Sequence, residues 1–165
     1  MKTLFKFTFL TTIACLLLAG CTKPAETTAT AETETTVVNE ELKTTLTAYF
    51  QLKDALVNDD AAKAKEAATA LADATGSYGA QLNEYVLAIG ETDDIEAQRE
   101  AFEALSVALY DLAKEGGVGM TVYKQYCPMA FDDKGAFWLS SEKQVLNPYF
   151  GASMLRCGTV EEEIK

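Results

Sequence analysis

Four stretches of apolar residues at helical spacing fill the sequence between Asn39 and Gly117. In each stretch leucine, tyrosine or alanine recurs every three or four residues, which is the period of a helix that buries one face. Short polar or glycine-containing segments separate the stretches. Because short connections place successive helices side by side in opposite directions, this spacing predicts a mainly α fold built as an up-and-down four-helix bundle.

Capping residues bound the first two predicted helices. Asn39 is a favourable N-cap for the first helix, and Asn58-Asp59-Asp60 supplies a turn and a second cap. The second stretch, residues 61–75, is very rich in alanine and stops at Gly76, a residue type that often follows a helix. Its small side chains allow a neighbouring helix to pack closely.

The third and fourth predicted helices are bounded in the same way. Tyrosine, leucine and isoleucine at helical spacing over residues 78–89 predict a short third helix, closed by Gly90. Asp93 and Glu96 form a capping-box pattern at the start of the fourth helix. Its apolar stripe runs until Gly116-Gly117, where we expect the helix to end.

The helical period is lost after Gly117. Seven of the thirteen aromatic residues in the segment 21–165 lie within residues 123–150. The alternation of residues 118–122 and the apolar run of residues 135–140 flank a turn at residues 132–135. This pattern predicts an irregular C-terminal segment or, at most, a small β-hairpin.

The N-terminus has the features of an export signal. Lys2 and Lys6 precede an apolar run over residues 7–18 that is too short to span a bilayer comfortably. The run ends in Leu18-Ala19-Gly20-Cys21, which resembles the lipobox of bacterial lipoproteins, where the signal is cut before a lipidated cysteine. A plain secretory signal followed by a chance cysteine is the alternative. The sequence thus predicts a signal peptide at residues 1–20 and a lipid anchor on Cys21 that holds the protein on a membrane of the cell envelope, facing the periplasm.

Residues 22–38 contain almost only threonine, alanine and glutamate, so residues 21–38 are predicted to be a lipidated cysteine and a flexible tether. One folded domain, residues 39–165, follows. Removing residues 1–20 deletes two lysines and no acids, which leaves 12 basic and 25 acidic residues and a net charge near −13. Such a charge makes nucleic acid an unsuitable partner, and it attracts cations without providing a specific site.

Two cysteines and two methionines lie near the C-terminal end, in Cys127-Pro128-Met129 and in the segment from Met154 to Cys157. The chain contains no histidine, so a transition-metal site must rest on sulfur, which favours soft ions such as Cu(I) or Ag(I). Residues two apart on an extended strand point to one side, and residues three apart share one side of a helical turn. The predicted metal ligands are therefore Cys127, Met129, Met154 and Cys157.

The same two cysteines are also candidates for a disulfide. Cys15 leaves with the signal and Cys21 is consumed by lipid, so Cys127 and Cys157 form an even pair in an oxidising compartment. Their bridge would close a loop of about thirty residues and contribute roughly 3–4 kcal/mol. The methionines would then fill the core. Both alternatives remain open, and a redox-switched site would visit both.

Catalysis is not predicted. A cysteine nucleophile normally needs a base, and the usual partner, histidine, is absent from the sequence. The acidic pairs Asp59-Asp60, Asp93-Asp94 and Asp132-Asp133 lie where turns or helix caps favour them, so they are interpreted as structural.

Several C-terminal motifs resemble a family of uncharacterised bacterial lipoprotein domains, also found fused to periplasmic adaptor subunits of copper and silver efflux systems of the RND type. The motifs are Tyr126-Cys127-Pro128-Met129-Ala130, residues 135–139, Asn147-Pro148-Tyr149-Phe150-Gly151, Met154 and Cys157-Gly158. The resemblance covers about the last forty residues closely and the helical part only in general pattern. It implies a helical domain with a sulfur-bearing C-terminal segment that works near envelope metal traffic, with efflux adaptor components as partners. The sequence has no adaptor hairpin or barrel, so an efflux role would be accessory.

Two functions follow as hypotheses. The first is a membrane-tethered chaperone or buffer for Cu(I) or Ag(I). The second is a disulfide-stapled helical module that docks onto another envelope protein through the glycines, prolines and aromatics of its C-terminal segment.

Overall fold

The structure is a computed structural model that describes residues 38–165. The predicted signal peptide, Cys21 and the tether up to residue 37 lie outside the described residues. Residues 38–165 fold mainly into helices, followed by a small antiparallel sheet. In this part of the chain, every helix is too short or too polar to cross a membrane.

Four helices precede the sheet: α1 (Glu40–Val57), α2 (Ala61–Ala74), α3 (Gly79–Gly90) and α4 (Ile95–Lys114). They coincide with the four predicted helices to within a few residues at each end. The Asn39 side chain caps α1 by accepting a hydrogen bond from the Leu42 N–H at 3.0 Å. Asp60 caps α2 in the same way through the Lys63 N–H. Each helix packs on the next one along the chain.

Two helix boundaries differ from the prediction. The N-cap of α4 is Asp94, which accepts a hydrogen bond from the Glu96 N–H at 3.0 Å. The assignment of this cap to Asp93 is wrong, because Asp94 accepts from the N–H only two residues later, a spacing that the capping-box pattern does not include, and Asp93 instead pairs with Lys65 of α2 at 3.0 Å. Gly90 is the last residue of α3, not the residue after it.

The sheet has three strands, β1 (Val122–Cys127), β2 (Ala136–Ser140) and β3 (Thr159–Ile164), in the antiparallel order β2-β1-β3. The predicted pairing partner at residues 135–140 is confirmed as β2. The first strand, however, begins at Val122 and not at Val118, and the third strand was not predicted. The C-terminal segment is therefore a three-stranded sheet with connecting loops, larger than the predicted hairpin.

A single turn, α5 (Ala130–Asp133), connects β1 to β2. Phe131, Asp132 and Asp133 have φ angles of 52°, 56° and 64°, in the left-handed region that residues other than glycine rarely adopt. Met129, just before this turn, has φ −92° and ψ −8°. The expectation that Cys127 and Met129 share an extended strand is therefore wrong, because the strand ends at Cys127 and the chain turns at Pro128.

One hydrophobic core joins the helices to the sheet, and α4 packs against β2. Aromatic rings connect the two parts in sequence. Tyr49 of α1 stacks on Phe102 of α4 with ring centroids 4.9 Å apart, Phe102 meets the edge of Tyr149 at 6.0 Å, and Tyr149 meets Trp138 of β2 at 5.8 Å. The end of β1, which carries the buried Cys127, belongs to this core.

Candidate functional site

The Sγ atoms of Cys127 and Cys157 lie 2.7 Å apart, and both residues are free thiols. We refer to these two residues as the thiol pair. Cys127 is fully buried at the end of β1, whereas Cys157 is partly exposed just before β3. The fold thus brings together two of the four sulfur residues predicted from the sequence, from segments thirty positions apart.

Strand pairing positions Cys127. It lies opposite Ala136 of β2, and its neighbour Tyr126 lies opposite Phe137 on one side and Thr159 of β3 on the other. With partners on both sides, the end of β1 has little freedom to move. Cys127 is therefore the fixed member of the thiol pair.

A tight turn positions Cys157. Its N–H donates to the Met154 C=O at 2.9 Å, so Met154 and Cys157 belong to one turn, as their spacing predicted. Gly158 follows with φ +138°, and a Cβ atom there would lie 2.8 Å from the Tyr126 carbonyl oxygen and 3.1 Å from the Trp138 ring. The backbone after Cys157 approaches β1 so closely that only glycine fits.

The buried side chain of Asn147 contacts the same turn. Its Nδ2 donates to the Cys157 C=O at 2.8 Å, and its backbone N–H donates to the Leu155 C=O at 2.9 Å. Its Oδ1 accepts a hydrogen bond from the Tyr149 N–H at 2.8 Å. The sequence showed Asn147 only as part of a motif and gave no role to its side chain.

Arg99 of α4 is 5% exposed and holds the segment that follows Asn147. Its Nε donates to the Pro148 C=O at 2.9 Å, and its Nη2 donates to Asp59 Oδ1 at 2.6 Å. Asp59 also accepts a hydrogen bond from the Ala152 N–H at 2.8 Å. The Ala152 hydrogen bond and then the Arg99 hydrogen bond hold the pKa of Asp59 below its usual value. Asp59 is thus a link between the α1–α2 turn and the C-terminal segment, a role beyond the predicted turn.

The two methionines occupy different surroundings. Met154 is partly exposed at the start of the turn that ends at Cys157. Met129 is 46% exposed and lines a cavity of about 490 Å³ between α4 and the C-terminal segment. The cavity is lined by Glu96, Arg99, Glu100, Met129, Phe131, Asp132, Asp133, Tyr149, Phe150 and Ser153. Neither cysteine of the thiol pair lines this cavity.

The Cys157 thiol of the pair is a weak acid. The pKa of Cys157 is raised to about 11, mainly by its hydrogen bond with Cys127 and next by burial. Within residues 38–165, no cluster of three or more Cys, Asp or Glu side chains could hold a metal ion. A metal at this site would therefore depend on two thiolates and on methionine sulfur, a donor set that fits a soft ion.

A metal ion between the two sulfurs would require them to separate. With metal–sulfur bonds of about 2.3 Å, two ligands at a tetrahedral angle lie roughly 3.8 Å apart. The observed distance of 2.7 Å is shorter than that. Because Cys127 is fixed in β1, the turn that carries Cys157 would have to move.

Comparisons with known proteins give one match. Neither the curated proteins nor the solved structures contain a match to this chain. The matching family model covers most of α1 and all of α2 to α4, and it stops just before β1 and the thiol pair. Residues 45–121 match the model of a family described as "protein of unknown function (DUF3347)".

Proposed function

We propose that this protein is a membrane-tethered lipoprotein of the cell envelope that binds Cu(I) or Ag(I) through the thiol pair, as a chaperone or buffer accessory to heavy-metal efflux. The observation that supports this is the meeting of two free thiols in a chain without histidine. The lipid anchor at Cys21, the up-and-down arrangement of α1 to α4 and the link to efflux adaptor components belong to the same proposal. They rest on the lipobox pattern, the helix spacing and the motif resemblance.

Access to the thiol pair is one-sided. Cys127 is fully buried and Cys157 is partly exposed, so an ion would reach the pair from the side of the Cys157 turn. Met154 begins that turn and is the third ligand in this proposal. Met129 lies two residues after Cys127, is exposed, and lines the cavity. To serve as the fourth ligand, its flexible side chain would have to change rotamer and leave the cavity.

Metal binding at this pair must displace protons, because thiolates and not thiols are the ligands. With the pKa of Cys157 at about 11, its thiol is protonated at neutral pH and competes with the metal. Affinity for Cu(I) should therefore increase with pH up to that value.

The test is a competition titration of the full chain, purified from membranes in detergent and fully reduced, against a Cu(I) chromophore. We expect the protein to withdraw one equivalent of Cu(I), and we expect the variant with both Cys127→Ser and Cys157→Ser to withdraw none. Met154→Leu should weaken binding, whereas Met120→Leu, at a partly buried methionine outside the proposed ligand set, is the matched control. Unchanged affinity in the double serine variant would exclude the thiol pair as the site.

A second candidate function is a disulfide-stapled module that docks onto another envelope protein through its C-terminal segment. The separation of 2.7 Å favours it, since this is nearer to a disulfide bond of about 2.05 Å than to a metal-bridged pair. Oxidation would link the end of β1 to the turn before β3 and close a loop of about thirty residues. Mass-spectrometric thiol labelling of the two cysteine peptides, in protein taken from the envelope without reductant, distinguishes the candidates, because a stapled module has no label at Cys127 and Cys157.

A further inference from the structure

The Cys157 turn has few restraints of its own. It lies between a short 3-10 turn at Gly151–Ser153 and β3, and one local backbone hydrogen bond, from the Cys157 N–H to the Met154 C=O, closes it. A single local hydrogen bond contributes about 1 kcal/mol, which does not hold a partly exposed turn in one position. The position of Cys157 relative to Cys127 must therefore depend on a contact from outside the turn.

Gly158, which packs against the Tyr126 carbonyl, and Asn147 both provide such contacts, and Asn147 does so through two separate groups. The side-chain Nδ2 donates to the Cys157 C=O at 2.8 Å, and the backbone N–H donates to the Leu155 C=O at 2.9 Å. Both acceptors lie within the turn. Because Asn147 is fully buried, breaking either bond would leave a polar group without water to replace the lost partner.

Asn147 is itself held on the helical part of the protein. Arg99 Nε donates to the carbonyl of Pro148, the next residue, at 2.9 Å. The same guanidinium donates from Nη2 to the Leu56 C=O at 3.3 Å, at the end of α1, and to Asp59 at 2.6 Å. Hydrogen bonds from a buried guanidinium to several partners fix direction as well as distance. The loop before Tyr149 is thus tied to both α1 and α4.

We infer that Asn147 is a positioning residue for the thiol pair: its amide holds the Cys157 turn against the fixed Cys127, and Arg99 holds Asn147. The inference rests on the proposed function in that the thiol pair is the site, but it concerns the pairing of the thiols and needs no metal. Without the Asn147 amide, the contact of Gly158 with β1 remains but the Cys157 turn is held less firmly, so the two thiols meet less often.

The test measures how strongly the fold favours the pairing of the two thiols. The full chain in detergent is equilibrated with glutathione and glutathione disulfide, so that the two thiols form one S–S bond while one glutathione disulfide is reduced to two glutathione molecules. The equilibrium constant is the effective concentration of one thiol at the other. Labelling of the Cys127 and Cys157 peptides gives the oxidised fraction.

Two substitutions separate positioning from local structure. Asn147→Asp and Asn147→Ser each keep an oxygen that can accept from the Tyr149 N–H, and each removes the amide donor to Cys157. We expect either variant to decrease the effective concentration by about tenfold or more, the change expected when one positioning hydrogen bond is lost. Asn83→Asp, the same exchange at a residue of α3 whose Oδ1 lies 3.1 Å from Thr75 Oγ1, should leave the equilibrium unchanged.

The outcomes decide the inference. Asn147 variants that keep the helical circular dichroism of the native protein and an equilibrium within about twofold of it would overturn the positioning role, as would an equal loss in the Asn83 variant. If neither variant keeps its helical signal, Arg99→Lys is measured with the same tenfold criterion. A chain that binds no Cu(I) but shows the tenfold change would overturn the proposed function and leave this inference in place.

Discussion

The Tyr49 hydroxyl of α1 accepts a hydrogen bond from the backbone N–H of Leu139 in β2, at 3.1 Å. The same hydroxyl lies 2.7 Å from the Ser106 Oγ of α4, and Ser106 donates its own proton to the Phe102 C=O at 2.8 Å. Tyr49 therefore donates to Ser106. Burial is the main cause that raises the pKa of Tyr49, so the hydroxyl keeps its proton. One side chain thus links α1, α4 and the sheet.

Replacing this hydroxyl should destabilise the fold. Tyr49→Phe leaves the ring in place but leaves the buried Leu139 N–H without a partner, so we expect the free energy of unfolding to decrease by about 1–3 kcal/mol. Urea unfolding measures it. The control is Tyr85→Phe, because the Tyr85 hydroxyl makes no hydrogen bond to any other residue in the segment 38–165. The free energy of unfolding should decrease much less in this variant than in Tyr49→Phe. Equal losses in the two variants would contradict the prediction.

Gly158 should not tolerate a side chain. In Gly158→Ala the Cβ atom would meet the Tyr126 carbonyl oxygen at 2.8 Å while the backbone keeps φ +138°. Backbone strain of this kind costs about 1–3 kcal/mol, and the clash adds to it. Gly116→Ala is a matched control, since φ there is +99° but the added Cβ has nothing within 4 Å. We expect a larger loss of unfolding free energy at Gly158, and alkylation of Cys157 should become faster only in that variant. A smaller loss at Gly158 than at Gly116 would show that the close approach is not tight.

Asp59 should make stability depend on pH in the acidic range. Its pKa is lower in the folded protein, mainly because of the Ala152 N–H and next because of Arg99, so its contribution is complete above the unfolded value of about 3.9. The contribution is lost as the pH falls through the folded pKa. Asp59→Asn should therefore be less stable at pH 7 and should show a weaker decline below about pH 4. Urea unfolding between pH 3 and pH 7 tests this, with Asp73→Asn on the exposed side of α2 as the control for the charge change. Parallel pH profiles for the native protein and Asp59→Asn would argue against the link.

The reduced Cys157 thiol should react slowly with alkylating reagents. Because its pKa is raised to about 11, from a usual value of 9.0, little thiolate is present at pH 8. We expect iodoacetamide to modify it about 100-fold more slowly than the same residue in urea-unfolded protein, since the thiolate is the reacting species. The alkylation rate should rise about tenfold per pH unit until the pH approaches 11. A plateau near pH 9 would show that Cys127 does not hold the Cys157 proton.

The helical part could be predicted from the sequence because its signals are local. Asn39 and Asp60 cap α1 and α2 through hydrogen bonds that span three residues, so the cap and the helix it starts are adjacent in the chain. The error at Asp93 has the same origin. The capping-box spacing selects Asp93, but its neighbour Asp94 caps the helix through the N–H two residues later, while Asp93 contacts Lys65 in another helix.

The third strand could not be predicted because its stabilising contacts are distant. Residues 159–164 include three consecutive glutamates, which are typical of a solvated segment. In the structure Glu162 accepts hydrogen bonds from Lys114 and from the Tyr110 hydroxyl, both of α4. The turn at residues 132–135 was predicted, but its left-handed backbone was not, because a residue such as Phe131 rarely adopts a positive φ and aspartate does so in a minority of cases.

The site was predictable only in part. Two cysteines in a histidine-free chain predicted a meeting of sulfur atoms, and Cys127 and Cys157 do meet. Arg99 was not predicted, because an arginine flanked by Glu96 and Glu100 on a helix resembles a solvated surface. Its burial depends on a carbonyl 49 residues away, at Pro148. Such a pairing leaves no local trace in the sequence.

The position of Trp138 has a practical consequence. It is the single indole of the 165-residue chain, it is fully buried, and its ring borders the backbone of Gly158, the residue directly after Cys157. When excitation is selective for indole over the seven tyrosines, emission from the native molecule therefore comes from one fluorophore beside the thiol pair. The protein contains its own optical reporter, and events at those sulfurs can be followed in real time without attaching a dye.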